Sequence, residues 1–188
     1  EYTQQLLKSD IHTVNQKAAG LPTRDNAKTF IYGFLYGAGD EKIGQIIGKG
    51  AKEGRVIRNK FLKSLPSLRV LKEKISSVLK KRGFLVGLDK RQLHIRSEHS
   101  ALNTLLQSAG AIVMKKATVI LFKKLVALGL EPNKDFAFVA HVHDEFQVEC
   151  WPEFVEQVKL EAEDSIYEAG KAFNFRCLLA GEAKAGST

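Results

Sequence analysis

The 188-residue chain carries only two cysteines, four prolines, one methionine and one tryptophan. Cys150 and Cys177 form neither a CxxC pair nor part of a His/Cys cluster. That excludes a zinc module or a disulfide scaffold and fits a reducing cytoplasm. No internal repeat, low-complexity tract or proline-rich linker divides the sequence, so one domain or two small subdomains are expected. Long apolar runs are missing too. The longest strongly apolar stretch, Ala117 to Phe122, is far below a bilayer span, and no basic-then-apolar signal pattern opens the chain, so a soluble protein with no membrane partner is expected. Acid is short relative to base: 21 Asp and Glu face 29 Lys and Arg, a net charge of +8. This favours a polyanionic partner such as nucleic acid, although a ribosomal or membrane-surface protein would have the same balance. The chain starts at Glu1 rather than methionine and reads as a fragment or processed piece.

What is present concentrates in two stretches. In the first, Thr23 to Gly37, Pro22 and Thr23 open a helix that sets Arg24, Lys28, Tyr32 and Tyr36 one turn apart on one face. Phe30, Ile31, Phe34 and Leu35 supply the apolar face behind them. A basic residue in the first turn opposes the helix macrodipole at a cost of about 0.3–1 kcal/mol, and a bound anion would resolve the conflict. Backbone N–H groups, Arg24 and Lys28 converge suitably on a phosphate-rich ligand, with the Tyr32 ring available for a base or sugar. The plain alternative is a solvated basic stripe beside core tyrosines.

The second stretch is Phe136 to Cys150, two β-rich runs around a tight turn that places Asp144 and Glu145 at the tip of a hairpin with otherwise buried arms. Acidic turns are ordinary. In a protein that gathers phosphates, however, an isolated carboxylate pair suits Mg²⁺, which takes oxygen ligands from one or two carboxylates plus substrate phosphates.

Between and around these stretches the pattern is mostly helical. Tyr2 to Ala19 leans helical, with Ser9 or Asp10 as an internal cap before His12. Asp40 can cap a short helix through Ile43, Ile46 and Ile47, and Ala51 to Leu65 and Ser67 to Lys81 read as amphipathic helices divided by Pro66. Phe84 to Leu88 and Gln92 to Arg96 suit a short hairpin around Asp89-Lys90. A long helix runs from Ser97 to about Leu128, with Leu102, Leu105, Leu106, Ala109, Ile112 and Val113 as its buried stripe and Asn103 and Gln107 as a polar one. Pro152 opens a helix to about Ala169, and Asn174 to Leu179 reads as a final strand.

Arg24-x-x-x-Lys28-x-x-x-Tyr32-Gly33 followed by Tyr36-Gly37 resembles motif B, the fingers helix of family A DNA polymerases, in wording closest to the phage branch. Val142-His143-Asp144-Glu145 resembles motif C, and Asp10-Ile11-His12-Thr13 and His99 to Gly110 resemble further segments of the family. The phage relatives often carry glycine where this chain has Lys90, some have a longer insertion before that hairpin, and the family commonly continues past Thr188 to a terminal histidine. The resemblance implies an α/β (α+β) fragment: residues 1–11 a palm-to-fingers helix, 12–81 a helical fingers subdomain, and 82–188 antiparallel-sheet palm elements. It implies DNA-directed DNA polymerase activity, template-directed nucleotidyl transfer from dNTP with Mg²⁺ on primer-template DNA, in a phage-infected host's cytoplasm.

By the same resemblance His12, Arg24 and Lys28 hold the triphosphate, Lys28 also protonates the leaving pyrophosphate, Tyr32 stacks on the nascent base pair and Tyr36 shapes the pocket. Asp144 is the metal ligand, Glu145 supports it and His143 contacts the primer strand. Asn103 and Gln107 carry amides to the minor groove, where the N3 and O2 acceptors of every correct pair allow geometry to be tested without reading sequence. Arg55, Arg58, Lys60 and Lys63 are expected on the subdomain that handles template DNA. A two-metal mechanism needs a further carboxylate, which the family carries upstream in motif A, so an upstream segment or separate chain bearing motif A, the thumb and possibly an exonuclease is the expected partner. The rivals are a noncatalytic DNA-binding subunit and a metal-dependent nuclease using His141, His143 and Asp144.

Overall fold

A computed structural model describes residues 10–186 as two compact units, one ending at Leu106 and the other beginning at Gln107. The expected segment 1–11 lies almost wholly outside the described residues. In the first unit, α1 (Ile11–Ala19) is started by the Asp10 side chain and stopped by Gly20 in the left-handed conformation. Thr23 then accepts the Asn26 N–H at 3.1 Å and opens α2 (Arg24–Leu35). Its apolar face carries Phe30 and Phe34 into a ring cluster with Phe61 of α4 (Ala51–Ser64), centroids 5.1–5.7 Å apart. Tilted and edge-on ring pairs of this kind add about 0.5–1.5 kcal/mol each beyond area burial. Between them lies the short α3 (Asp40–Gln45), whose Ile43 is fully buried in the same cluster.

Pro66 takes the first position of α5 (Pro66–Arg82), where its missing N–H costs nothing. A small antiparallel hairpin follows, β1 (Phe84–Val86) and β2 (Gln92–His94), with Leu85 opposite Leu93. Its arms are shorter than the sequence suggested, because Gly87 and Arg91 already close the turn by a 2.9 Å backbone bond. Lys90 sits there at φ 67°, in the left-handed region. Glycine adopts that conformation freely, so the turn is one that a glycine at this place would also fit. Ile75, Leu85, Ala101 and Leu102 join α5, the hairpin and the start of α6 (Ala101–Ala127) in a second cluster.

The second unit packs the later part of α6, β3 (Phe136–Val142), β4 (Glu145–Cys150) and α7 (Val155–Ala172) around Leu121, Leu125, Leu130, Phe136 and Val158. Lys124 of α6 bridges to Glu161, at 2.7 Å, and Asp164 of α7. The stretch Glu98–Ala127 contains an 18-residue window of mean hydropathy 1.4, long and apolar enough by those measures to cross a membrane, a feature the six-residue run Ala117 to Phe122 does not reveal. Only 22% of that window is buried: Ala117, Leu121 and Leu125 are fully buried, while Val119, Phe122 and Val126 are exposed.

Three expectations are corrected. The β3–β4 arms are not buried on both faces: Phe146, Val148 and Cys150 turn inward while Glu145, Gln147 and Glu149 face solvent, the alternation of a sheet covered on one side. Leu106 is 44% exposed rather than part of the buried stripe, for it ends the first unit, after Leu102 has entered that unit's core and before Leu121 and Leu125 enter the core of the second. Residues 174–179 form no strand. Asn174 at φ 54° ends α7, and the tail folds back so that Leu179 packs on Gly170, leaving the segment no ladder to join among the described residues.

Candidate functional site

One candidate site, in the first unit, is the exposed face of α2. Arg24, Lys28 and Tyr32 are all solvent-facing, Tyr32 at 52% exposure, and Tyr36, the residue that caps the helix, is 60% exposed. The tyrosines are therefore not core residues, and the basic stripe presents two rings to solvent. Lys28 has no ion-pair or hydrogen-bond partner among the described residues.

Arg24 does have one. Its Nε donates to Asp10 Oδ2 at 2.6 Å and its Nη2 to Asp10 Oδ1 at 3.0 Å. Asp10 also accepts the Thr13 hydroxyl at 2.7 Å and the His12 N–H at 3.3 Å. The Arg24 guanidinium and these donors hold the Asp10 carboxyl well below the usual carboxylate range, and Asp10 in turn raises Arg24. The anion that the misplaced first-turn cation called for is thus supplied in part by the chain itself, and Asp25 in the same turn adds another negative charge. Sequence reasoning read Asp10 only as a cap. A pairing across fourteen positions leaves no local signal. Beside it, His12 Nδ1 is buried without a hydrogen-bond partner among the described residues.

Two further arrangements were not foreseen. Arg55 and Arg58, expected on the subdomain that handles template DNA, both bridge to Asp40, at 3.1 Å each, and Arg58 also donates to the Ala38 carbonyl. These contacts tie α4 to the start of α3 and, through Ala38, to the loop before it. Beside them a cleft of about 280 Å³ is lined by Phe34, Gly37, Lys72, Ser76, Glu98 and His99. Lys72 lies over the Phe34 ring, 4.5 Å from its centroid, and burial lowers its pKa, with Arg58 adding to the effect.

A second candidate site, in the second unit, is the β3–β4 hairpin. Val142 pairs with Glu145, leaving His143 and Asp144 as a two-residue turn, with His143 at φ 52°. Histidine tolerates the left-handed region better than most residues, and the conformation puts both turn side chains in solvent. Glu145 begins β4 rather than sharing the turn, and its carboxylate accepts the Gln147 amide at 2.8 Å. Asp144 is therefore a lone hard-oxygen donor at an exposed tip, a fit to one ligand of a Mg²⁺ site. Among the described residues no three His, Cys, Asp or Glu side chains converge on a common point, so His141, His143 and Asp144 do not make a self-sufficient nuclease centre. Asn103 and Gln107 follow one another by a turn along α6, Asn103 half-buried and Gln107 exposed.

Residues 4–188 match DNA polymerase family A. The chain is 49% identical to the DNA-directed DNA polymerase of Escherichia phage T7, over 99% of its own length and 29% of the relative's, and 48% identical to that of Enterobacteria phage T3. A bacterial relative, DNA polymerase I of Aquifex aeolicus, is 30% identical over 79% of the chain. The fold resembles that of the POL domain of Pol1 from M. smegmatis, in complex with DNA primer-template and dNTP, with a TM-score of 0.78 and 19% identity over 89% of this chain and 33% of that one. The chain spans about three-tenths of the length of the phage relatives. With the family matched across nearly every residue, including both candidate sites, the chain belongs to DNA polymerase family A.

Proposed function

We propose that this chain is the fingers and part of the palm of a DNA-directed DNA polymerase that extends primer-template DNA from dNTPs in the cytoplasm of a phage-infected host. Residues 12–81 serve as fingers and 82–188 as palm elements. The observation that carries the reading is the solvent-facing row of Arg24, Lys28 and Tyr32 at the start of α2, in a chain whose family match runs from end to end. Backbone N–H groups at the helix start and the ammonium of Lys28 bind the triphosphate, Arg24 and His12 add donors, and Tyr32 offers its ring to the nascent base pair with Tyr36 beside it. Lys28 would also return a proton to the departing pyrophosphate.

Family A polymerases depend on metal ions in general; here the reading is Mg²⁺. Asp144 would hold it, with Glu145 supporting and His143 meeting the primer strand. When bound, the ions stabilise the charge on the attacking and leaving oxygens of phosphoryl transfer. A lone carboxylate at a hairpin tip supplies only part of such a site, so an upstream segment bearing the motif A carboxylate is the partner that completes it, and this chain is inactive alone. Asn103 and Gln107 would meet the minor groove of the newly made pair.

The experiment is Lys28→Ala in the assembled polymerase, comparing dNTP use with primer-template affinity. Nucleotide use falls far more than DNA binding, because duplex affinity is spread over many basic contacts. Equal losses would remove Lys28 from the nucleotide site and leave a general DNA-binding surface, as in a noncatalytic subunit.

A further inference from the structure

We infer that Asp10 is a positioning residue for Arg24: it grips one edge of the guanidinium so that the other edge stands ready for the phosphates of an incoming nucleotide. The inference rests on the reading of α2 as a nucleotide site and goes beyond it by assigning a role to a residue on a different helix. The contact is directional. Asp10 takes the edge formed by Nε and Nη2, and Nη1 with the remaining hydrogen of Nη2 meets no partner among the described residues, on a side chain that is 52% exposed. A guanidinium donates through all three nitrogens in one plane, so fixing one edge fixes the direction of the other.

Asp10 is itself held. The Thr13 hydroxyl donates to the same Oδ2 at 2.7 Å, and the His12 N–H reaches Oδ1 at 3.3 Å as the cap of α1. The orientation of Arg24 is therefore referred back to the backbone of a neighbouring helix. An exposed ion pair contributes little to folding stability, so the pair has scant value as a staple alone. Its value lies in binding: an arginine free in solvent must be immobilised when it meets a ligand, and one already fixed does not bear that entropy loss. Lys28, one turn further and without such a partner, serves as a mobile point charge, whereas Arg24 offers a preset fork.

The test uses the assembled polymerase, this chain together with its upstream segment, carrying Asp10→Asn or Asp10→Ser. Both substitutions keep a side-chain oxygen able to cap α1, so the helix is retained while the charged clamp is lost. The KM for dNTP rises about two- to tenfold, the range expected for newly having to immobilise one arginine, with kcat and primer-template affinity kept. In an Arg24→Ala background the same substitutions add nothing, because Asp10 acts through Arg24. An unchanged or lowered KM with Arg24 intact overturns the inference; a lowered value would make Asp10 a competitor of the nucleotide. An equal further loss in the Arg24→Ala background also overturns it. If Arg24→Ala alone leaves nucleotide use intact, the reading of α2 falls and the inference with it; if Arg24→Ala is damaging and Asp10→Asn silent, only the inference falls.

Discussion

Lys72 holds its Nζ 4.5 Å from the centroid of the Phe34 ring, so a side chain from α5 covers the apolar face of the helix whose other face carries Arg24 and Lys28. The site on one side of α2 is thus coupled in stability to a half-buried cation on the other. Burial and neighbouring Arg58 lower the Lys72 pKa below the ordinary 10.5, so between that lowered value and 10.5 the unfolded chain binds more protons than the folded one. Stability attributable to this residue therefore rises with pH through that window. Urea unfolding followed as pH is raised toward 10.5 will make the native chain gain on Lys72→Met. A constant difference between the two would mean that the ring fully offsets the desolvation of the ammonium.

Replacing Asp144 by Asn preserves the shape of the turn and removes the charge a divalent ion needs. The assembled enzyme carrying Asp144→Asn folds and binds primer-template normally. Its primer extension falls by more than the about 10–100-fold that losing a hydrogen bond behind a metal ligand costs. Near-normal extension would reduce the acidic tip to a solvated turn.

The isolated 188 residues do not extend a primer in Mg²⁺, and activity returns when a fragment bearing the motif A carboxylate is added. The motivation is the absence, among the described residues, of any three-ligand cluster around Asp144, and the engagement of Glu145 with Gln147. Templated synthesis by the purified chain alone would mean that another carboxylate, of this chain or of a second copy, completes the site.

Gly37 and Gly110 respond oppositely to alanine. At Gly37 the backbone stands at φ 82° and a Cβ would meet the His99 carbonyl, so Gly37→Ala destabilises by about 2 kcal/mol or more. Gly110 lies within α6 with open space around it, so Gly110→Ala stabilises by about 0.5–1 kcal/mol. Denaturant midpoints of the two variants, read against the parent chain, check both signs.

The elements that local chemistry specifies were readable in advance. Thr23 as a cap, Pro66 as a divider and the Asp144 hairpin follow from hydrogen-bond geometry, ring constraint and alternation, and the structure has them. What escaped were relationships between distant residues. Asp10 satisfies Arg24, Asp40 gathers Arg55 and Arg58, and Leu179 turns a presumed strand back onto Gly170. Each depends on where tertiary packing brings a side chain, and periodicity along the chain carries no record of it. The exposure of Leu106 escaped for the same reason, since an apolar stripe cannot tell where one core ends and the next begins.

The pairing of β3 with β4 steps from Phe138–Val148 to Ala140–Gln147, leaving Val139 as an extra, solvent-facing residue on the strand that leads to Asp144. Losing it would restore a regular ladder without changing which of the later side chains face the core, since Ala140 through Val142 already pair in step with Gln147 through Glu145. Adding a residue after it would turn every one of them over. Insertions and deletions in this hairpin are therefore not equivalent events. A lineage can shorten the strand at Val139 and alter only its bend and twist, and so the aim of the tip, whereas lengthening it nearer the turn scrambles the site.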